Sequence, residues 1–355
     1  MSILYEHEDG TLLCTEQYFN CVISEVTGSP KINNDLFKIL FPYRSKVTAR
    51  KKAKKIPNEA TQTIDTSNSI EKAAIEVQHK YAVLKPILQN SNYLKNSPST
   101  IDNKKALKAA DFIYEETGKH QLKTISGGNF GPPVIRPVQG AQYIFPENCR
   151  FFCNDVQVIG KELSGEKFDL ILLDPPWWNK YIRRKRKKCP HAYDMIFNCN
   201  LQAIPIEDLL SDNGIVVVWC TNSPQHLNFL TDTIFPKWKV SLIAKWYWLK
   251  ITLSGEPICE FSEPPGKQPF EQIFIGMKEK NSNQKLPPDG KLIVTVPSAI
   301  HSHKPPLTEV LKSFMPQNAK CLEIFARYLL PNFTSYGNEV LRFQHESLYL
   351  FNRKK

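Results

Sequence analysis

From about residue 140 onwards, short apolar runs alternate with segments in which apolar residues recur at helical spacing. Runs rich in leucine and β-branched residues, bounded by turn residues, are typical of buried strands. They predict strands over residues 150–153, 168–173, 214–220, 244–249, 272–276, 292–296 and 320–325, and helices over 201–210 and 226–234. This alternation predicts an α/β fold in which a doubly wound parallel sheet carries helices on both faces.

The pattern before residue 140 is mixed and partly helical. Apolar residues at helical spacing predict helices over 70–88 and 104–116, and the Asn-, Thr- and Ser-rich stretches 56–72 and 96–104 predict linkers or mobile surface. The glycine- and proline-rich passage 126–133 is typical of a loop or a domain junction. We therefore expect an N-terminal accessory region over residues 1–135, with a packing or nucleic-acid-binding role, and a catalytic domain over residues 140–355.

The predicted strand 168–173 ends at the tetrapeptide Asp174-Pro175-Pro176-Trp177. In open α/β sheets, ligands bind beyond the carboxyl ends of the strands. The Asp174 carboxylate and the Pro175 carbonyl are two acceptors that can hold both hydrogens of a nucleobase amine and turn its lone pair out of the ring plane. Trp177 offers a flat surface on which a base can stack. The alternative is that the prolines simply end the strand and that Trp177 is a core residue.

The net charge of +11 is concentrated in two clusters without acidic residues. They comprise Arg44, Lys46, Arg50, Lys51, Lys52, Lys54 and Lys55, and Lys180, Arg183, Arg184, Lys185, Arg186, Lys187 and Lys188. Such clusters favour nucleic acid, a membrane surface or a nuclear-import signal as partner, and the alternative is a solvated charge run. The second cluster begins three residues after the tetrapeptide, where it is suited to clamp phosphates.

Composition excludes several classes of protein. No apolar run approaches the ~18 residues of a membrane span, and the N-terminus lacks the features of a secretory signal, so we expect no membrane association. The nine cysteines are scattered without CxxC pairs. Buried free thiols are therefore expected rather than disulfides or zinc, even for Cys149 and Cys153, and no metal site is predicted.

Several sequence blocks occur in a fixed order along the second part of the chain. They are Cys153-Asn154-Asp155-Val156, Asp174-Pro175-Pro176-Trp177, Val218-Trp219-Cys220-Thr221-Asn222, Ser302-His303-Lys304-Pro305, Glu323-Ile324-Phe325-Ala326-Arg327 and Gly337-Asn338-Glu339. Together they resemble the DPPW-type adenosine-N6 methyltransferase family, similar to mRNA adenosine methyltransferases, and most of all its methyltransferase-like protein four branch. The resemblance covers residues 145–355. It implies a Rossmann-like S-adenosylmethionine-dependent methyltransferase sheet in the permuted order, with the catalytic motif upstream of the cofactor-binding strand.

The resemblance also implies roles for individual residues. With S-adenosylmethionine as the methyl donor, Asp155 would contact the adenine amine, and Lys304 would pair with the methionyl carboxylate. The expected contacts of the ribose and the amino-acid end are Glu323, Arg327, Asn338 and Glu339. Asp174 would lie near both the sulfonium and the target amine. The expected substrate contacts are Trp177, Tyr193, Trp248 and Lys250, and core packing is the alternative for Trp248. The basic cluster adds Arg183, Arg184, Lys185 and Arg186 as expected phosphate contacts.

Two segments near these motifs have further implications. Phe325-Ala326-Arg327 stands where many DNA amino-methyltransferases have a glycine-rich turn, and this difference favours the eukaryotic-type adenosine branch. The segment 254–268, rich in Pro, Gly and Glu, has the composition of a mobile gate over the site or of an inert insertion.

The resemblance implies N6-methylation of adenosine in RNA, in particular of 2′-O-methyladenosine in a spliceosomal small nuclear RNA. We expect a monomer in the nucleus, and also in the cytoplasm. Methylation of DNA adenine stays open, although in a duplex it requires flipping the base out. A non-catalytic scaffold that binds nucleic acid stays open as well. Methylation of a protein glutamine or small amide fits less well, because the related motif carries Asn and Tyr at its ends.

Overall fold

A computed structural model describes residues 2–43, 63–90, 93–94, 103–120, 122–178, 196–264, 266–278 and 285–351. Its strands are β1 (Ile3–His7), β2 (Gly10–Leu13), β3 (Lys31–Ile32), β4 (Ile125–Asn129), β5 (Val134–Val138), β6 (Ala141–Phe145), β7 (Cys149–Cys153), β8 (Phe168–Leu173), β9 (Leu210–Cys220), β10 (Ser241–Lys250), β11 (Phe270–Met277), β12 (Leu292–Thr295), β13 (Cys321–Ile324), β14 (Phe333–Tyr336) and β15 (Tyr349–Leu350). Its helices are α1 (Thr15–Val22), α2 (Thr63–Gln89), α3 (Lys104–Gly118), α4 (Ile159–Glu162), α5 (Asn198–Gln202), α6 (Ile206–Leu209), α7 (Pro224–Phe229), α8 (Phe235–Lys237) and α9 (Thr308–Leu311).

Among the described residues, one eleven-stranded sheet forms the centre of the fold, in the order β1-β2-β12-β10-β11-β9-β8-β13-β14-β7-β4. All the strands predicted from the sequence are present, and β8 has the predicted bounds. The sheet is mixed rather than purely parallel, because β11 runs antiparallel to both of its neighbours. The described part of the β10–β11 connection contains no helix to carry the chain across a face, so β11 returns in the opposite direction.

Both faces of the central strands are buried, as a doubly wound sheet requires. In β8, Leu170 and Leu172 pack into one hydrophobic cluster, whereas Ile171 and Leu173 pack into another cluster on the opposite face. The alternation follows from the two-residue repeat of a strand. The α/β fold class predicted from the sequence is confirmed.

The N-terminal region contributes strands to the same sheet. β2 pairs in parallel with β12, and β4 pairs antiparallel with β7 at the other edge. The predicted division near residues 135–140 therefore does not separate two sheets. The prediction of a loop over 126–133 is wrong for its first half, which forms β4. Glycine suits this strand because a Cβ on Gly128 would lie 2.4 Å from the carbonyl oxygen of Cys149.

The predicted helices are largely confirmed. The helix predicted over 226–234 is α7 followed by a π-helical segment at Leu230–Ile234, and one other predicted helix is broken. α2 and α3 contain the helices predicted over 70–88 and 104–116. The prediction of a linker over 56–72 is wrong for residues 63–72, which form the start of α2. The helix predicted over 201–210 is two short helices, α5 and α6, separated at Pro205. Proline lacks the N–H that a continuous helix needs at this position. No helix among the described residues combines the length and apolarity that crossing a membrane requires.

The cysteines of the described segments are free thiols. Cys149 and Cys153 are both buried, and burial raises the pKa of each thiol to about 11. Neither belongs to a group of metal-ligating side chains in the described part of the chain. The prediction of buried free thiols at these two positions is confirmed.

Candidate active site

Asp174 follows β8 at the carboxyl edge of the sheet, and each of its carboxylate oxygens faces a side chain from the loop after β12. Ser302 Oγ donates a hydrogen bond to Asp174 Oδ2 at 2.7 Å. Lys304 Nζ lies 3.6 Å from Asp174 Oδ1. The Asp174 side chain is 14% exposed. The carboxylate is therefore oriented by two partners and still reaches the surface of the site.

A second carboxylate, Glu271 at the start of β11, links two lysines. Lys304 Nζ and Lys250 Nζ each donate to one oxygen of Glu271. Burial raises the pKa of Glu271, but the two adjacent lysines outweigh it, so the pKa lies well below the usual range of a glutamate. For Lys304 burial acts to lower the pKa, and the charges of Asp174 and Glu271 outweigh it, so its pKa is raised. Lys304 is accordingly a cation held between two anions.

Aromatic rings surround this ion pair. Lys304 Nζ lies 5.0 Å from the ring centroid of Trp219 and 5.5 Å from that of Trp248. Lys250 Nζ lies 4.4 Å from the ring of Trp248, whose indole N–H donates to Thr295 Oγ1 at 2.8 Å. Trp248 is buried. The structure thus brings Trp248 and Lys250 to Lys304, with both side chains packed inside the site.

Trp177 differs from the expectation of an open stacking surface. It is 4% exposed and packs in the hydrophobic cluster on one face of the sheet. Its indole N–H donates to the Trp219 carbonyl at 2.8 Å, and its ring centroid lies 5.0 Å from that of His226. The alternative in which Trp177 is a core residue matches the structure, because the chain turns the indole inward after the prolines.

The prolines shape the turn that carries the second predicted acceptor. The Pro175 carbonyl accepts the backbone N–H of Trp177 at 2.8 Å, and the Pro176 carbonyl accepts that of Ile196 at 3.0 Å. A carbonyl oxygen has two lone pairs, so the Pro175 carbonyl can accept a further hydrogen bond.

Glu323, on β13 beside β8, is the most unusual of the predicted cofactor residues. Its side chain is buried, and no described residue hydrogen-bonds its Oε2 atom. Burial, with a smaller contribution from the charge of Asp174, raises the pKa of Glu323 to about 8. A buried acceptor without a partner is rare in folded proteins and is suited to a ligand's hydroxyl group.

Arg327 and Glu339 form an ion pair beyond the end of β13. Arg327 Nε lies 3.2 Å from Glu339 Oε2, and Arg342 pairs with the other oxygen of Glu339. The chain after β14 passes close to the chain after β13, because a Cβ on Gly337 would lie 3.2 Å from the Cα of Phe325. Phe325 itself has a φ of 65°. The close approach explains why glycine occupies position 337.

Asp155 and Asn338 are exposed and follow the neighbouring strands β7 and β14. The Asp155 carboxylate accepts the backbone N–H of Gln157 at 2.9 Å, and the Tyr336 hydroxyl donates to the Asp155 carbonyl at 3.2 Å. These contacts fix the chain at the end of β7. The predicted contacts Tyr193, Arg183, Arg184, Lys185 and Arg186, and the basic cluster between Arg44 and Lys55, lie outside the described residues.

The roles of Glu271, Trp219 and Ser302 in this arrangement were not predicted from the sequence. An ion pair at Glu271 could have been predicted from the sequence, because a glutamate inside the apolar run 270–277 needs a charged partner once it is buried. Trp219 and Ser302 belong to two of the sequence blocks, which do not indicate what their side chains contact. Their contacts with Lys304 and Asp174 depend on which strands are neighbours.

Comparison with known proteins identifies relatives across this region. The MT-A70 family profile matches residues 168–339. The chain is 39% identical over 223 residues to the mouse (Mus musculus) protein named N(6)-adenine-specific methyltransferase METTL4, covering 60% of this chain and 46% of that protein. It is 27% identical over 367 residues to a Caenorhabditis elegans protein named DNA N6-methyl methyltransferase, covering 96% and 98%.

A fungal relative has a different substrate in its name. The chain is 34% identical over 223 residues to the N6-methyladenosine RNA methyltransferase MTA1 of Pyricularia oryzae, covering 60% of this chain and 58% of that protein. The chain spans about half the length of the mouse and human METTL4 relatives. The family match begins with β8 and ends at Glu339, so it contains Asp174, Lys304 and Glu323.

Proposed function

We propose that this chain, which belongs to the MT-A70 family, transfers a methyl group to the exocyclic N6 amine of adenine in a nucleic acid. The observation that carries the proposal is the placement of Asp174. Its carboxylate stands at the carboxyl end of β8, with Ser302 Oγ at 2.7 Å and Lys304 Nζ at 3.6 Å, inside the region of the family match.

The chemistry that the site supplies is positioning and electrostatics. Asp174 and the Pro175 carbonyl accept the two hydrogens of the amine, which turns the nitrogen lone pair out of the ring plane. The hydroxyl of Ser302 fixes Asp174 Oδ2, and the charge of Lys304 stabilises the carboxylate. Glu271 and Lys250 hold Lys304 in place. The buried position of these groups strengthens each interaction, because little water screens it.

S-adenosylmethionine fits the residues around Asp174. When bound, it supplies an electrophilic methyl group on its sulfonium. The unpartnered Oε2 of buried Glu323 suits a ribose hydroxyl, and Arg327 and Glu339 offer charges of both signs for the amino-acid end. Asp155 and Asn338 are exposed beyond β7 and β14, where a carboxylate and an amide can contact adenine and ribose. Lys304 would exchange part of its pairing with Glu271 for the methionyl carboxylate.

Within nucleic acids, we favour RNA, and specifically 2′-O-methyladenosine in a spliceosomal small nuclear RNA, modified by a nuclear monomer. A mostly buried carboxylate that contacts the amine of the target favours an unpaired adenosine, because base pairing would occupy one of the amine hydrogens; RNA loops and bulges provide such adenosines. The basic stretch 180–188 is suited to hold the phosphates on either side. DNA is the second candidate, because the relative that matches nearly the whole chain is named for DNA methylation.

Methyl transfer to matched oligonucleotides tests the substrate. The set consists of one adenosine-containing RNA, the same RNA with a 2′-O-methyl group on the target, and single- and double-stranded DNA of the same sequence. We expect labelled methyl on RNA, most of all on the 2′-O-methyl form. Label on DNA alone would favour the second candidate, and equal rates on both RNAs would remove the 2′-O-methyl preference.

A further inference from the structure

Helix α3 lies in the N-terminal region, outside the family match, yet one of its side chains reaches the active-site loop after β12. The Tyr114 hydroxyl accepts a hydrogen bond from the backbone N–H of His301 at 2.6 Å. The ring of the same tyrosine lies 5.4 Å from the guanidinium carbon of Arg342. Tyr114 therefore contacts the loop that carries Lys304 and also the arginine that pairs with Glu339.

The residue after His301 is Ser302, which orients Asp174 through a hydrogen bond of 2.7 Å. Ser302 has a φ of 59°, in the left-handed region that serine rarely occupies. A residue stays in such a conformation only when its surroundings determine it. The hydrogen bond from the adjacent N–H of His301 to Tyr114 is one contact that fixes this peptide.

Burial raises the pKa of the Tyr114 hydroxyl, so the group stays protonated at neutral pH. Its oxygen then accepts from His301 as a neutral hydroxyl, with no charge that would repel Asp174 or attract Lys304. The contact therefore fixes the position of the loop without adding a charge to the site.

We propose that Tyr114 is a positioning residue for methyl transfer, which acts on Asp174 through His301 and Ser302 and on Glu339 through Arg342. The inference rests on the proposed function, in which Asp174 receives the target amine. It gives the N-terminal region a part in the reaction: α3 supplies the hydroxyl that holds the loop in its active conformation.

Two substitutions at Tyr114 separate the hydroxyl from the ring. Tyr114→Phe keeps the ring beside Arg342 and removes the acceptor for His301. We expect kcat to fall about tenfold, the effect of one ordinary hydrogen bond, with an unchanged KM for S-adenosylmethionine. Tyr114→Leu removes the ring as well, so the KM for the methyl donor should also rise. The matched control is Ile113→Val, which removes one buried methyl group from the same helix and should leave kcat unchanged.

A double-mutant cycle distinguishes positioning from general destabilisation. If Tyr114 acts through Ser302, Tyr114→Phe should cause no further loss of kcat in a Ser302→Ala background. Losses that multiply, or an equal loss in Ile113→Val, would overturn the inference. An unchanged kcat in Tyr114→Phe would overturn it too.

Hydrogen exchange tests the same contact without relying on activity. The amide of His301 should exchange faster in Tyr114→Phe than in the wild type or in Ile113→Val. An unchanged exchange rate would contradict the inference that the Tyr114 hydroxyl fixes the loop. If the wild type transferred no methyl group to any adenosine substrate, the proposed function would fail, whereas the exchange measurement would still decide whether Tyr114 fixes this loop.

Discussion

Two carboxyl groups on neighbouring strands of the site have opposite surroundings. Asp174 has a hydroxyl and a cation as partners, whereas Glu323 is buried with one oxygen that no described residue contacts. A carboxyl group whose surroundings shift its pKa strongly, as burial does for Glu323, is characteristic of a functional site. Asp174 is therefore suited to accept hydrogens from a substrate amine, and Glu323 is suited to bind a ligand that brings its own donors.

The raised pKa of Glu323 predicts a pH dependence of stability. Burial and the charge of Asp174 raise the pKa to about 8, from 4.5 for an ordinary glutamate. The folded protein then binds one proton more than the unfolded chain between these values. The free energy of unfolding should therefore fall as the pH rises through that window, by about 1.4 kcal/mol per pH unit at most.

Urea denaturation of the wild type and of Glu323→Gln across pH 5 to 8 measures this effect. Glutamine keeps the shape and cannot lose a proton, so the variant should show a flatter profile over this range. Parallel profiles of the two proteins would contradict the raised pKa of Glu323.

At the level of secondary-structure elements, the hydrophobic pattern predicts well where the strands lie in the sequence. It predicts less well the direction of each strand and the residues that pack against it. The strand 168–173 has its predicted bounds because both faces are apolar and Asp174-Pro175 ends it. β4 was not predicted, because Gly128 is required by the close approach of the Cys149 carbonyl and Gly127 faces the Phe151 ring, whereas local preference indicates a loop. The direction of β11 depends on the path of the β10–β11 connection, which no periodicity records.

The same limit applies to the site. The family resemblance of the sequence blocks implies one cofactor site for Asp174, Lys304 and Glu323, and Lys304 Nζ does lie 3.6 Å from Asp174 Oδ1. The inward turn of Trp177 and the bond between Glu271 and Lys304 result from packing between distant segments. Contacts between such distant segments cannot be predicted from the pattern of a single sequence.

A substitution at Gly128 tests whether β4 requires glycine beside the Cys149 carbonyl. Gly128→Ala would place a Cβ 2.4 Å from the Cys149 carbonyl oxygen, so the strand pair has to shift. We expect the free energy of unfolding to fall by about 1–3 kcal/mol, as is usual for overpacking.

Gly131→Ala is the matched control for this substitution, because its Cβ would meet nothing closer than 3.9 Å. It should change stability by less than about 0.5 kcal/mol. Chemical denaturation of both variants measures the difference, and equal losses would argue against the close approach at Gly128.

On the scale of the whole molecule, the N-terminal region belongs to the same sheet and contacts the candidate active site. β1 and β2 extend one edge of the sheet, β4 forms the other, and Tyr114 of α3 contacts the active-site loop. α2 reaches the β10–β11 connection, where the Tyr81 hydroxyl donates to the Gly255 carbonyl at 2.5 Å. The segment predicted as a gate or an inert insertion is thus anchored by the N-terminal region at Gly255.

The uneven charge of the chain predicts how binding depends on salt. Replacing Arg183 and Arg184 by glutamine should weaken binding of single-stranded RNA and reduce the slope of log K against log salt by about 1.4, or 0.7 per phosphate contact. The control replaces Lys167 and Lys237, exposed residues that precede β8 and β10 at the opposite end of the sheet. Fluorescence anisotropy over a salt series measures both slopes, and equal changes would mean that charge acts without regard to position.

Methyl transfer by Asp174→Asn beside the wild type, on the best adenosine substrate, tests most directly whether Asp174 accepts the target amine. Asparagine keeps the size and removes the charge and one acceptor, so kcat should fall at least about 100-fold while S-adenosylmethionine still binds. Asp169→Asn is the control, because Asp169 lies at the opposite end of β8 and bonds Ser211 and Lys320; this variant should remain active. If Asp174→Asn kept wild-type turnover, Asp174 would not be the acceptor of the target amine.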